Sequence, residues 1–188
     1  VGDYVLDRGK SFESSEPLTE DEFKKVVSAA ERSNAKFEPK MCFHNAMTLA
    51  MFDDAQSIEY CEGYSVTGLG IPVHHAWNTI NGKVIDLTRS LRPEATDEFL
   101  SGKAPQGDLK DRVLGTIPDS WAYFGITFDK GLVRDYMMTN ECTGSLIGDS
   151  QRGFPLWLIK RMGNSKQPDP TEYQKMMDYT GRSKSRLS

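Results

Sequence analysis

The chain has 188 residues, of which 38% are hydrophobic and 10% aromatic, and its formal net charge is −4. That length carries one domain with a substantial core and is short for two. The acidic balance supplies no general basic field for nucleic acid, and the longest uninterrupted apolar run, "FPLWLI", is far short of a membrane span.

Three cysteines, Cys42, Cys61 and Cys142, form an odd set without a C-x-x-C pair. They argue against a disulfide framework and against a zinc knuckle, and for a reducing, cytoplasmic setting. The first residue is Val1, which points to a trimmed start, and the opening stretch has no signal-peptide layout.

In chain order, residues 1–18 are expected to be irregular or to hold one edge strand at "DYVLD". Thr19 and Glu22 have capping-box spacing, and Phe23, Val26, Val27 and Ala30 follow at helical spacing, which predicts a helix over about 20–33. "NAKFEPKM" breaks it. "CFHNAMTLAMF" predicts a second helix, with an apolar stripe of Phe43, Met47 and Ala50 or Met51, and with Cys42 at or just before its first turn. The period then changes. "SIEYCEGYSVT", "PVHHAWNTI" and "KVIDLT" read as three consecutive antiparallel strands, the last two joined at Asn81-Gly82, a pair suited to a type I′ turn. A loop with a short helix near "TDEFL" is expected up to about residue 118, and then a strand at "SWAYFGITF". Short helices are expected at "LVRDYMM", "FPLWLIKRM" and "TEYQKMMDYT". The fold class is α+β: N-terminal helices packed on a central antiparallel sheet, with C-terminal helices, as a single domain over 1–180. The basic, Ser-rich tail at 181–188 is expected to be disordered.

The hairpin assigns faces. A two-residue loop pairs Ile80 with Lys83 and Thr79 with Val84, so His75, Trp77 and Thr79 share a face with Val84, Asp86 and Thr88. His75 is then a diagonal neighbour of Asp86, and His74 points the other way. A carboxylate beside an imidazole is the base-plus-orienter half of a nucleophilic triad. Cys42 is the matching nucleophile, because a thiol at a helix N-terminus sits where the macrodipole favours thiolate. The backbone amides of that turn can receive an oxyanion.

Cys42 opening a helix, then "YCEGYSV", "HHAWN" and "GKVIDLT", resembles the core of transglutaminase-like cysteine enzymes of the wider papain-like group. The resemblance covers about residues 38–90. It implies Cys42 as nucleophile, His75 as general base and Asp86 as orienter, and it implies that the Gly of "CEGY" permits close packing. Met41 stands where such enzymes often carry Gly, and no residue matches their oxyanion side chain; Asn34, Lys36 and Asn45 are substitutes of equal rank.

Taken alone, Cys42 reads as a buried packing thiol; the three positions together favour chemistry. His74 reads as a partly exposed strand residue and His44 as a surface histidine. Adjacent strand histidines point apart, so His74 and His75 do not chelate one metal ion. Trp77, Glu62 and Asn45 are the candidate substrate contacts, although Trp77 by default is core and Glu62 by default exposed. Cys61 and Cys142 are taken as packing residues. The expected function is thiol-dependent acyl transfer from an amide to water or to an amine, without metal or organic cofactor. Substrates are a peptide, a protein side-chain amide or a small amide. The rival readings are a binding or scaffold module on the same fold and, more weakly, an acyltransferase acting on nucleotide or nucleic acid.

Overall fold

The computed structural model describes residues 2–92, 94, 95, 98, 108–140 and 143–151. Six strands form one antiparallel sheet: β1 (Lys10–Phe12), β2 (Ile58–Val66), β3 (Pro72–Ile80), β4 (Lys83–Ser90), β5 (Arg112–Gly115) and β6 (Ala122–Phe128), in the order β1-β6-β2-β3-β4-β5. The helices are α1 (Gly2–Arg8), α2 (Glu20–Ser33), α3 (Cys42–Met51), α4 (Lys130–Asn140) and α5 (Leu146–Gln151), with a 3₁₀ turn at Leu109–Asp111. The fold is therefore α+β.

The β3–β4 hairpin has the expected two-residue loop. Asn81 at φ 50° and Gly82 at φ 80° both adopt the left-handed conformation that a type I′ turn requires. Ile80 pairs with Lys83 and Thr79 with Val84, as the sequence predicts. Strand alternation then separates two faces.

On one face a cluster takes one residue from each strand: Phe12, Cys61, Trp77, Val84, Val113 and Tyr123. The two edge strands β1 and β5 reach the same cluster because the sheet curls, with this face concave. The segment leaving β1 crosses to the far edge, where Leu18 N donates to Leu114 O at 3.2 Å and Ile117 N donates to Ser14 O at 2.9 Å. Gly63 and Gly125 face each other across β2 and β6; Gly125 leaves room for Trp77, and Gly63 lets the β6 backbone approach. A Cβ on Gly125 would lie 2.6 Å from Trp77 Cη2, and one on Gly63 would lie 2.5 Å from Gly125 Cα.

The convex face carries the helices. Val26 and Ala29 of α2 and Leu49 of α3 pack on Ile58, Ile80, Ile85 and Leu87. Ala46, Met47 and Ala50 of α3 pack with Tyr60 and Ala76, closed over by Leu132, Val133 and Tyr136 of α4 and Leu146 of α5. The α2 capping box is formed in both directions, Glu22 N to Thr19 Oγ1 and Thr19 N to Glu22 Oε2. Asn81 Nδ2 and Lys83 Nζ also donate to that carboxylate, which fixes α2 on the hairpin.

Several expectations are corrected. "DYVLD" lies in α1, and the edge strand is the short β1 after it; Val5 is buried at one point of a helix face. Phe23 of α2 is exposed, and Ala29 takes the buried place beside Val26, which rotates the expected stripe. The stretch read as loop up to 118 contains the 3₁₀ turn and β5, whose four residues are too few for a period to show. α5 was not expected. The predicted helices at 154–162 and 171–180, the basic tail, Cys142 and most of "TDEFL" lie outside the described residues.

Replacing Gly125 by Ala drives a methyl into Trp77 and is expected to lower unfolding free energy by about 1–3 kcal/mol. Urea denaturation reads this, and an unchanged midpoint would mean that Trp77 does not need the space.

Candidate active site

Strong helix formers (Ala46, Met47, Leu49, Ala50, Met51) carry α3 from Cys42 onward. Its start is built differently from that of α2. Met41 at the cap position makes no side-chain hydrogen bond, and the first turn holds no acidic residue. Lys40 just before it is left-handed at φ 69°. The first-turn amides and the positive end of the helix are thus left without a capping side chain at Cys42.

Asparagines seat the helix. Asn78 Nδ2 on β3 donates to Ala46 O at 2.8 Å. Asn45, on the same helical face as Cys42, donates from Nδ2 to Thr88 Oγ1 of β4 at 2.9 Å and to Glu38 O at 2.8 Å. Its Oδ1 has no partner among the described residues.

The β3–β4 ladder pairs Asn78–Ile80 with Lys83–Ile85. Beyond it the strands part, and the first turn of α3 meets both: Cys42 reaches His75 on β3, and Asn45 reaches Thr88 on β4. β4 is also irregular here, its pairing with β5 passing from Asp86 opposite Val113 to Ser90 opposite Arg112. Asp86 explains the bulge. Its Oδ1 accepts the N–H of Thr88 at 2.9 Å and of Arg89 at 3.2 Å, so the chain folds around the carboxylate that it carries.

Asp86 Oδ2 accepts from His75 Nε2 at 2.6 Å and from the Tyr123 hydroxyl at 2.9 Å. A carboxylate only accepts, so Nε2 carries the hydrogen and Nδ1 is the ring nitrogen left over, and the Cys42 thiol is near enough to the ring to raise its pKa. Exposure rises along the line, from 1% at Asp86 through 3% at His75 to 8% at Cys42, and all three residues are buried. Burial alone would push the His75 imidazolium down. The charge and hydrogen bond of Asp86, and then the Cys42 thiol, outweigh it and push His75 up to about 9. Burial likewise works against the Asp86 carboxylate, and the His75 charge and hydrogen bond prevail, holding it below its ordinary value. An oriented imidazole beside a thiol is the arrangement that nucleophilic catalysis by cysteine requires.

The structure therefore brings Cys42, His75 and Asp86 together. Trp77 is in the core and stacks on the His75 ring, centroids 6.3 Å apart and planes 18° apart, supporting it from within. Glu62 is corrected outright: it is fully buried on the convex side instead of exposed. It accepts from Tyr60 OH and His74 Nε2, each at 2.9 Å, from the Ser145 hydroxyl, and from the N–H groups of Leu146 and Ile147 at the start of α5. Three of these donors, on Ser145, Leu146 and Ile147, come from 83 to 85 residues downstream, so no local pattern announced them. His74 is partly exposed on that side, with the Phe43 ring edge against it at 5.1 Å. His44 Nδ1 meets Thr143 Oγ1 at 3.1 Å, so residues 143–147 are tied beside the first turn of α3.

Asn34 is committed to the left-handed C-cap of α2. Cys61 packs in the concave cluster, and burial, opposed by hydrogen bonds with Thr127 and Thr79, pushes its thiol up to about 12. Among the described residues no group of three or more His, Cys, Asp or Glu side chains is arranged to hold a metal ion. No helix among them is long and apolar enough to cross a membrane. Tyr123 was missed; it sits on β6, which neighbours β1 and β2, so hairpin parity could not connect it to Asp86.

His75 titrates near 6.5 when unperturbed and at about 9 in the fold. Its pairing therefore stabilises fully below pH 6.5, and that contribution is lost as pH rises through 9. The unfolding free energy is expected to fall by on the order of 3 kcal/mol over this interval relative to His75→Gln. Chemical denaturation of both proteins from pH 6 to 10 measures it, and parallel curves would contradict the pairing.

Comparison of the chain with protein-family models, with curated proteins and with solved structures finds no match.

Proposed function

We propose that this chain is a thiol-dependent acyl-transfer enzyme on a papain-like, transglutaminase-like core, with Cys42 as nucleophile, His75 as general base and acid, and Asp86 as orienter. One observation carries the reading: the sealed 2.6 Å contact between His75 Nε2 and Asp86, with the other ring nitrogen left for a thiol at an uncapped helix start. A buried packing cysteine has no need of an oriented imidazole, and a helix start without a side-chain cap leaves its first-turn amides to another acceptor. The residue order along the chain and the helix seated across two antiparallel strands support the family-level reading.

In the reaction, His75 Nδ1 takes the Cys42 proton, and the thiolate attacks the carbonyl carbon of an amide. The carbonyl π pair moves onto oxygen, and the oxyanion is received by amides of the first α3 turn, which has no side-chain cap. As the C–N bond breaks, His75 returns its proton to the leaving amine, and a thioester remains on Cys42. Water then gives a proton to His75 and attacks the thioester, releasing a carboxylic acid and restoring the thiol. An amine in place of water forms a new amide by the same steps. Asp86 stays ionised throughout and holds the ring in one tautomer. Hydrolysis is the default, since water is always present. A peptide bond, a protein side-chain amide or a small amide fits this chemistry, which requires no metal or organic cofactor.

Iodoacetamide separates the enzyme from a binding module of the same shape. Near neutral pH, Cys42 is expected to alkylate faster than Cys61 by about a hundredfold or more, and the advantage disappears in His75→Ala. Peptide mapping of the adducts reads it, and uniform slow labelling would favour the module. Once a substrate amide is found by screening, Cys42→Ala is expected to lower kcat by about 10⁴-fold or more.

A further inference from the structure

We infer that Tyr123 is a positioning residue of this site: its hydroxyl donates to the same Asp86 oxygen that receives the His75 Nε2 hydrogen, and so sets how strongly Asp86 holds the imidazolium. The inference deepens the acyl-transfer reading and rests on it.

Among the described residues Asp86 has four hydrogen-bond donors. Two are backbone amides of its own bulge, on Oδ1; the other two are side chains, His75 and Tyr123, on Oδ2. The two side chains therefore compete for one oxygen. Tyr123 and Asp86 are both buried, so bulk water does not substitute for either donor. Burial, and then the Asp86 charge, keep the Tyr123 phenol well above 10, so it remains a proton donor whenever Asp86 is ionised. Packing does not call for the hydroxyl. The ring is held edge-on by Trp77, at 5.2 Å between centroids, and lies with Phe12 in the concave cluster, where a Phe would fit equally well.

A donor on Oδ2 draws off electron density that would otherwise stabilise the imidazolium. That matters because His75 must release its proton to a leaving amine. A carboxylate with no competing donor would hold the imidazolium too firmly, and a base is most effective with its pKa near the working pH. Tyr123 moderates that hold and fixes the carboxylate rotation that meets Nε2.

The chain has three histidines, so the ring resonances of His75 can be followed singly by NMR titration. In Tyr123→Phe the imidazolium is expected to titrate higher by about one pH unit. In a chain with Tyr123→3-fluorotyrosine, whose hydroxyl is the stronger donor, it is expected to titrate lower. The second variant preserves the hydrogen bond and covers the case in which Tyr123→Phe does not fold. Cys42 alkylation in the unmodified protein is measured alongside. Rapid Cys42 labelling with His75 titrating at one pH in all three proteins overturns the Tyr123 inference alone. Labelling no faster than that of Cys61 overturns the acyl-transfer reading and the inference with it.

Discussion

A carboxylate sealed from water must be satisfied from every side, and in this protein that requirement falls on Asp86. Its four donors come from three strands: His75 on β3, Tyr123 on β6, and the β4 backbone itself. Leaving such a group with a missing partner costs several kcal/mol, so the strands must adopt the register that supplies all four. A one-residue slip in the hairpin would turn His75 to the convex side and put His74 in its place. The type I′ turn at Asn81-Gly82 guards against that slip by fixing the loop length.

The same constraint shapes the opening. By wrapping Thr88 and Arg89 around its own carboxylate, Asp86 pulls β4 out of pairing and brings the Thr88 hydroxyl to Asn45 of α3. The helix start thereby settles where β3 and β4 separate. α2 and α3 show the two uses of a helix N-terminus in one molecule. α2 is closed by Thr19 and Glu22 and locked to the hairpin, whereas α3 begins at a cysteine with no side-chain cap. The Glu62 cluster holds the opposite side, tying α5 and His74 to β2 within contact of Phe43, the residue after Cys42.

Much of this was legible in the sequence because it is local. The Thr19–Glu22 spacing marks the start of α2, Asn-Gly fixes the hairpin, and parity from that turn puts His75 and Asp86 on one face. What escaped is what the chain joins over long distances. β6 inserts between β1 and β2, so Tyr123 reaches Asp86 across a sheet order that differs from the sequence order. Glu62 carries a charged side chain in a strand that reads as half-exposed, and its burial depends on α5, a helix of six residues with little periodicity. β5 and α1 are likewise too short for a pattern, and the exposure of Phe23 reflects which side of α2 the sheet happens to cover.

The central claim is that the Cys42 sulfur is a nucleophile driven by His75. Mass spectrometry of the protein after brief exposure to an activated acyl ester tests it most directly, because a thioester is the intermediate that the chemistry must pass through. The account predicts one acyl group, mapped to Cys42, that forms at neutral pH and is lost to hydroxylamine, and that fails to form when His75 is replaced by Ala. Acyl groups scattered over lysines, or a Cys42 adduct that forms equally well without His75, would contradict it.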